Sequence, residues 1–212
     1  MERIISLIVG YIFGLFQTGY LVGKLNHIDI RQQGSGNAGT TNALRVMGWK
    51  AGAITFAGDV LKCVLAVVLI RFVFRETEYA PLLGMYAALG TTLGHNFPFY
   101  LKFKGGKGIA VLAGLIVSTS FAMVPIPLAA FMVAVFLTRY VSLGSLLAST
   151  TFFLEVVLFG GMGGFEMAKN YCLELYGIVF LLMVLAWIRH KDNIKRLIAG
   201  NENRFGSKNK TS

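Results

Sequence analysis

The sequence predicts an all-α, polytopic integral membrane protein with seven transmembrane helices. Three observations support this prediction. The 212 residues are 55% hydrophobic and only 14% charged, and the mean hydropathy of +0.65 exceeds that of ordinary soluble domains. Apolar stretches close to the ~20 residues that cross a bilayer recur from end to end. Lys and Arg are unevenly divided between alternate loops. Because no long hydrophilic region remains, we expect residues 1–212 to form one membrane domain.

Seven apolar stretches are long enough to be interpreted as spans. The fourth and fifth are divided at Pro125 and Pro127, because proline lacks an amide hydrogen and clashes with the preceding turn. One kinked helix over both would be too long for a single crossing. The first stretch contains Gln17 and lacks a small-residue cleavage site, so it predicts a span and not a signal peptide. The predicted spans are residues 4–23, 53–74, 79–100, 108–124, 126–140, 143–160 and 172–189.

Basic residues are concentrated in the loops of one side, which the positive-inside rule assigns to the cytosol. The N-terminus is then outside and the C-terminus cytosolic. The fifteen basic residues of that side are Lys24, Arg31, Arg45, Lys50, Lys102, Lys104, Lys107, Arg139, Arg189, Lys191, Lys195, Arg196, Arg204, Lys208 and Lys210. The other side holds Arg3, Arg71, Arg75 and Lys169 with Glu2, Glu76, Glu78, Glu166 and Glu174. The net charge of +10 therefore indicates topology and attraction to anionic lipid; without a recognised nucleic-acid module, we expect no nucleic-acid partner.

Three charged residues lie well inside predicted spans, away from the span ends. Asp59 and Lys62 are three residues apart and would share a helix face. Because charges at that depth are costly unless they are paired or hydrated, we expect an ion pair between them or pairing with a polar neighbour. Whether they also orient the first cytosolic loop stays open. Glu155 has no partner that the sequence identifies. Cys63 and Cys172 lie at different predicted depths, so we expect no disulfide.

The first cytosolic loop contains "GSGNAGTTNALRVMG", residues 34–48. Its glycines fit the G-x-G-x-x-G pattern, but a dinucleotide fold needs a preceding strand and a βαβ unit, whereas a membrane span precedes them here. Two interpretations remain open. The segment is a flexible turn, or its backbone amides and short polar side chains bind an anion together with the forked guanidinium of Arg45.

The second loop contains "GHNFPFYLKFKGGKGIA", residues 94–110, with Lys102, Lys104 and Lys107 around a glycine cluster. The spacing of a Walker-type phosphate loop is absent. Two basic, glycine-bearing loops on one side nevertheless indicate a site for a phosphorylated ligand. The third region is "RHKDNIKRLIAGNENRFG", residues 189–206, in which His190 and Asn193 would share a helix face.

A smaller polar cluster, "RYVSLGS", lies between the fifth and sixth spans at residues 139–145. Arg139, Ser142 and Ser145 would stand at the cytosolic mouth. A helix cap accounts for the two hydroxyls as well as a ligand does. The sequence has no H-E-x-x-H motif and no carboxylate cluster, so we expect no metal and no cofactor. A Ser-His-Asp constellation in one neighbourhood is also absent.

Three of these blocks, residues 34–48, 94–110 and 189–202, resemble the acyl-phosphate-dependent glycerol 3-phosphate acyltransferase family of bacterial membranes. The similarity covers nearly the whole chain, including its length, its seven spans and the cytosolic position of all three loops. The resemblance implies transfer of an acyl group from long-chain acyl phosphate to the 1-hydroxyl of glycerol 3-phosphate. The products would be lysophosphatidic acid and inorganic phosphate, in the first acylation of phospholipid synthesis. The implied location is the bacterial cytoplasmic (inner) membrane, among membrane lipid.

The resemblance also implies roles for individual residues. The catalytic set would be Ser35, Asn37, Arg45, His190 and Asn193. The substrate-binding set would be Gly36, Lys104, Gly105, Gly106, Gly108 and Ser142, with Glu202 structural. The proton acceptor stays open between His190 and the oxygens of the acyl phosphate. The rival interpretation is a transporter for an organic phosphate, but polarity is concentrated at one face and the sequence shows no internal repeat.

Overall fold

The structure is a computed structural model that describes residues 1–165 and 167–206, and those residues form helices, turns and loops without a strand. Glu166, Lys208 and Lys210, which the charge pattern assigned to opposite sides, lie outside the described residues. The ten α-helices of the described part are α1 (Glu2–Gly14), α2 (Thr18–Leu25), α3 (Thr40–Met47), α4 (Trp49–Val73), α5 (Ala80–Asn96), α6 (Ile109–Thr119), α7 (Pro125–Thr138), α8 (Val141–Gly161), α9 (Lys169–Arg189) and α10 (Lys191–Ile198).

Five segments are long and apolar enough to cross a membrane: Glu2–Leu25, Trp49–Val73, Phe121–Thr138, Val141–Gly161 and Lys169–Arg189. The predicted spans 79–100 and 108–124 are both shorter in the structure. α5 has 17 residues and α6 has 11. Both lie inside the bundle with most of their residues buried, so neighbouring helices surround them.

The first span, Glu2–Leu25, agrees with the prediction for residues 4–23, but it is divided between two helices. α1 ends at Gly14 and α2 begins at Thr18. The buried amide of Gln17 donates to the carbonyl oxygens of Gly14, Gly94 and His95, at 3.0, 3.3 and 3.1 Å. The Gln17 side chain thus bonds one carbonyl at the break and two at the end of α5, as the burial of backbone polar groups in a membrane protein requires.

Small residues let α5 occupy the centre of the bundle. A Cβ built at Gly10 of α1 would overlap the backbone of Ala87, and one at Gly90 of α5 would overlap the carbonyl oxygen of Leu7. The two backbones therefore approach closely, as is usual for membrane helix pairs. Buried Leu82 and Leu115 extend this packing to α4, α6, α8 and α9.

The break predicted at the prolines is confirmed. α6 ends at Thr119, a short 3-10 turn covers Phe121–Met123, and Pro125 begins α7. Proline fits the first turn of a helix, where its missing N–H has no intrahelical partner. α7 packs chiefly against α8 and lies at the edge of the bundle, with Phe136 and Leu137 largely exposed. Such side chains are suited to contact with lipid.

Candidate active site

A cleft of about 170 Å³ opens at the end of the bundle where the three glycine-bearing or basic segments meet. It is bounded by α3 and its preceding loop, by the loop before α6, by the start of α8, and by α10 with the segment after it. The polar residues that line it are Ser35, Asn37, Thr40, Thr41, Asn42, Arg45, Asp59, His95, Lys107, Ser142, Ser145, His190, Asn193, Arg196, Glu202 and Asn203.

The first loop is held by the side chain of Asn42. Its Oδ1 accepts from the backbone N–H of Ser35 at 2.8 Å, and its Nδ2 donates to the carbonyls of Ile30 and Gln33 at 3.1 and 2.9 Å. Gly34 has a φ of 59°, and a Cβ there would overlap the Asn42 amide oxygen. Glycine is therefore required at this turn. The loop presents Ser35 to the cleft.

Gly36 does not line the cleft, unlike Ser35, Asn37 and Arg45 on either side of it. Gly36 has a φ of 71°, in the left-handed region that residues with a Cβ rarely adopt. Its contribution is to the path of the loop.

Gly105 and Gly106 lie beside the cleft and do not line it. Their N–H groups donate to the carbonyls of Asn96 and His95, both at 3.1 Å. The guanidinium of Arg189 donates to both glycine carbonyls at 3.0 Å. A Cβ at Gly105 would overlap the His95 carbonyl oxygen, and one at Gly106 would overlap the His95 ring. The two glycines thus allow a close backbone contact, and Gly108 continues the loop into the cleft wall.

The structure places Lys107 in the cleft, and it places Lys104 outside. Lys104 is exposed and does not line the cleft. The buried backbone of the next two glycines separates it from the site. Lys107 lines the cleft and its ammonium donates to Oδ1 of Asn193. Burial, opposed by the charge of Glu202 and reinforced by those of Arg196 and Arg189, lowers the pKa of Lys107 to about 8. Lys107 is therefore the lysine of this loop that faces the cleft.

Glu202 connects the segment after α10 to three parts of the site. One carboxylate oxygen accepts from Oγ of Ser142 at 3.1 Å and from Nδ2 of Asn193 at 2.7 Å. The other oxygen accepts from Nε of Arg196 at 2.7 Å. Because Glu202 is only 8% exposed, these charge-assisted bonds are strong and they orient all three partners. Glu202 thereby links the start of α8 to α10, and the resemblance implies a structural role for it.

His190 is a buried, neutral imidazole at the junction of α9 and α10. Its Nδ1 lies 2.7 Å from the carbonyl oxygen of Ala186. A carbonyl only accepts, so the proton is on Nδ1 and Nε2 keeps its lone pair. Burial, reinforced by the charge of Lys107, lowers the pKa of His190 to about 4. At neutral pH the cleft therefore contains an imidazole that can accept a proton or a hydrogen bond.

The ion pair predicted inside the membrane is confirmed. Nζ of Lys62 lies 2.8 Å from Oδ1 of Asp59, and the hydroxyl of Thr18 donates to the same oxygen at 3.2 Å. The two cysteines are free, as predicted. Within the described residues, one carboxylate oxygen of Glu155 is buried without a hydrogen-bond partner.

Sequence reasoning missed four of the titratable residues that line the cleft. Asp59 was expected to be paired and was not assigned to the site, although a charge inside a span is itself a signal for a functional site. His95 lies in the quoted second loop without having been singled out. Lys107 was considered there with two other lysines, and Arg196 lay in the third region. Helical spacing could not show that these residues meet, since they come from four separate segments.

These features define a class of protein: a helical integral membrane protein with a basic, hydroxyl-bearing cleft at one end of its bundle, suited to a phosphorylated substrate. The sequence profile of the family described as glycerol-3-phosphate acyltransferase matches residues 4–200. The chain belongs to this family, and it is an acyltransferase.

Relatives and solved structures are similar over nearly the full chain. Glycerol-3-phosphate acyltransferases from Alkaliphilus metalliredigens and Thermoanaerobacter pseudethanolicus are 43% and 39% identical, each over 98% of both sequences. Two crystal structures of PlsY, an integral membrane glycerol 3-phosphate acyltransferase, are 29% identical and cover 97% of this chain and 96% of theirs. The glycerol 3-phosphate form has a TM-score of 0.85 and the lysophosphatidic acid form one of 0.83.

Proposed function

We propose that the protein transfers an acyl group from a long-chain acyl phosphate to the 1-hydroxyl of glycerol 3-phosphate. The hydroxyl oxygen attacks the acyl carbonyl, an ester bond forms, and the bond from the acyl carbon to the phosphate oxygen breaks. The products are lysophosphatidic acid and inorganic phosphate, in the first acylation of phospholipid synthesis. The observation that carries the proposal is the convergence of Arg45, Lys107 and a neutral His190 on one cleft. The PlsY crystal forms with glycerol 3-phosphate and lysophosphatidic acid support it.

The chemistry mainly requires that two phosphorylated substrates are brought together, because an acyl phosphate already has a good leaving group. We assign the binding of phosphoryl groups to Arg45 and Lys107, supported by the hydroxyl of Ser35. Asn37 and Asn193 are assigned to the carbonyl oxygen as negative charge develops on it.

Two groups are available to accept the proton of the attacking glycerol 3-phosphate hydroxyl. Nε2 of His190 carries a lone pair at neutral pH because its other nitrogen bonds Ala186. The departing phosphate oxygen is the other acceptor.

The remaining predicted residues act indirectly. Ser142 acts through Glu202, since their side chains are hydrogen-bonded at 3.1 Å. The backbone paths of the two loops are set by Gly36, Gly105, Gly106 and Gly108.

One wall of the cleft is apolar and suits the start of an acyl chain. It consists of Phe56 on α4, Ala110 on α6, Phe131 on α7 and Val141 on α8. Phe56 is 47% exposed, so this wall continues into the lipid-facing surface. We assign the acyl chain to this wall, where a membrane-dissolved donor can enter from the bilayer.

We infer seven spans, an outside N-terminus and a cytosolic cleft in the bacterial inner membrane, with residues 1–212 as one acyltransferase domain. The described loops that carry most of the Lys and Arg lie around the cleft, which supports this orientation. Arg3 and Glu174 form an ion pair of 2.6 Å, in agreement with their assignment to the other side.

Cysteine labelling tests this orientation. A cysteine placed at Lys191 should react with an impermeant maleimide from the cytosolic side, and one placed at Glu76 from the outer side. The reverse pattern contradicts the orientation.

The test of the function uses purified protein in mild detergent with palmitoyl phosphate and labelled glycerol 3-phosphate. Equal amounts of inorganic phosphate and labelled lysophosphatidic acid are expected, with palmitoyl-CoA as a parallel donor. An Arg45→Ala variant is the control for contaminating activity. Product from the CoA donor alone would overturn the donor assignment. Absence of product from both donors with a folded protein would favour the transport of an organic phosphate.

The pKa of Lys107, lowered to about 8, predicts how glycerol 3-phosphate is bound as pH changes. The ammonium is present below this pH and is lost as pH rises through it. Since glycerol 3-phosphate is already a dianion above pH 7, kcat/KM for this substrate should fall about tenfold between pH 7 and 9.5. Lys107→Arg should remove this decline, because a guanidinium stays charged. Lys104→Ala, a change on an exposed side chain, should keep the wild-type dependence of kcat/KM on pH. Loss of the decline in that variant would assign the binding of glycerol 3-phosphate to Lys104.

A further inference from the structure

The mechanism proposed above gives no role to His95, although its side chain lies in the cleft wall. His95 belongs to the last turn of α5 and is 2% exposed. Its backbone carbonyl accepts from the N–H of Gly106 and from the amide of Gln17, both at 3.1 Å. The backbone carbonyl of His95 is thus fully used by these two donors. The imidazole is the part of the residue that faces the cleft.

Lys62 fixes the proton of this imidazole. Its ammonium, paired with Asp59, has three acceptors at 2.8 Å: the carbonyl oxygen of Phe16, Oδ1 of Asp59 and Nδ1 of His95. An ammonium has three hydrogens and no lone pair, so these three contacts use its full donor capacity. Nδ1 of His95 must then be the acceptor. A neutral imidazole carries one proton, which is therefore on Nε2.

The Nε2 proton has no hydrogen-bond partner among residues 1–165 and 167–206. Gly106 packs against one side of this nitrogen, because a Cβ at that position would overlap the ring. His95 lines the cleft, and its Nε2 is not one of the fully enclosed polar atoms that lack a partner. The N–H is therefore accessible from the cleft, where the phosphoryl oxygens of a ligand can accept it.

We propose that Nε2–H of His95 donates a hydrogen bond to a phosphoryl oxygen of a bound substrate, with Lys62 and Asp59 as positioning residues that hold the imidazole in this tautomer. The proposal rests on the function proposed above. It gives the two cleft imidazoles opposite tautomers and opposite tasks. His95 offers a proton on Nε2 because an ammonium occupies its Nδ1, whereas His190 offers a lone pair on Nε2 because a carbonyl occupies its Nδ1.

Nitrogen-15 NMR of histidine-labelled wild-type protein tests the tautomer without reference to activity. The chain has 3 histidines, and the third, exposed His27, is assigned by a His27→Gln variant. We expect His95 to be protonated on Nε2 and His190 on Nδ1 at pH 7. Inorganic phosphate or glycerol 3-phosphate should shift the His95 Nε2 resonance and leave that of His27 in place. A proton on Nδ1 of His95, or no shift with either compound at saturation, overturns the proposal.

Substitutions separate hydrogen bonding from packing. His95→Gln keeps an N–H close to the Nε2 position, and His95→Met keeps the volume without a donor. The methionine variant should lose about 10- to 100-fold in kcat/KM, as expected for a hydrogen bond to a charged group, and glutamine should recover most of it. The substrate whose KM rises, acyl phosphate or glycerol 3-phosphate, identifies the phosphoryl group. Equal losses in both variants would assign His95 to packing alone.

The double variant Asp59→Asn with Lys62→Met removes both buried charges together, so neither is left unpaired. It should give a mixture of the two His95 tautomers by NMR. A pure Nε2–H form in that variant would remove the positioning role of Lys62. If wild-type protein transfers nothing from acyl phosphate, the proposed function fails, while the tautomer and the phosphate-dependent shift still decide the role of His95.

Discussion

Gly105→Ala is expected to lower kcat/KM for glycerol 3-phosphate by about 100-fold or more. The added methyl group would overlap the carbonyl oxygen of His95, which accepts the N–H of Gly106. Backbone cannot yield as a flexible side chain does, so the loop has to move. Lys107 is two residues farther along the same loop, and a displacement of about 1 Å at a reacting centre costs roughly 100-fold in rate. Initial rates against glycerol 3-phosphate concentration give the measurement.

Gly177→Ala is the matched control for this substitution. Gly177 lies within α9, and a Cβ built there meets no atom within 4 Å. Alanine is the better helix former, so this variant should keep wild-type kinetics and unfold at the same or a higher temperature. If Gly105→Ala matched Gly177→Ala in kcat/KM, the close backbone contact would have no importance for activity.

Glu202→Ala is expected to have the second large effect, on both activity and stability. The substitution removes the acceptor of Ser142, Asn193 and Arg196. Buried donors are then left unpaired, which costs about 3 kcal/mol of unfolding free energy. Asn193 also loses the contact that orients it toward Lys107. We expect kcat/KM to fall about 100-fold, together with a lower midpoint of thermal unfolding in detergent.

Glu202→Gln distinguishes the charge from the shape of this side chain. Glutamine keeps the volume but has one acceptor oxygen, and its NH₂ group cannot accept from Arg196. Its loss should lie between those of wild type and Glu202→Ala. Glu76→Gln is the control, because that side chain is 87% exposed beside Arg75 and exposed pairs contribute little. Wild-type kcat/KM in Glu202→Ala would contradict the role assigned to the segment after α10.

The fold was predictable where the signal is local. Runs of apolar residues identified the membrane segments, and Pro125 located the boundary between α6 and α7, because proline affects its own turn. The break at Gln17 was not predictable in the same way. The amide bonds carbonyls more than seventy positions away in sequence, Gly94 and His95, and an apolar stretch gives no sign of such a contact.

The candidate site was also predictable only in its local features. Residues 34–48, 94–110 and 189–206 were recognisable as motif loops, and they do meet at one cleft. Which lysine faces that cleft was not recognisable, because Lys104 and Lys107 stand in similar glycine-rich surroundings. The backbone hydrogen bonds that bury Gly105 and Gly106 decide it, and these are formed with the end of α5.

The sequence by itself determined the class of protein, its family and the three loops that form the site. Hydropathy, charge asymmetry and motif spacing are properties of short segments, and each can be recognised without knowledge of its neighbours in space. Only the tertiary structure decided the state and orientation of the groups in the cleft. Lys107 meets Asn193, Ser142 meets Glu202, and Lys62 meets His95 across separations of 86, 60 and 33 residues. Protonation and hydrogen bonding depend on the nearest atoms in space, and folding alone brings these atoms together.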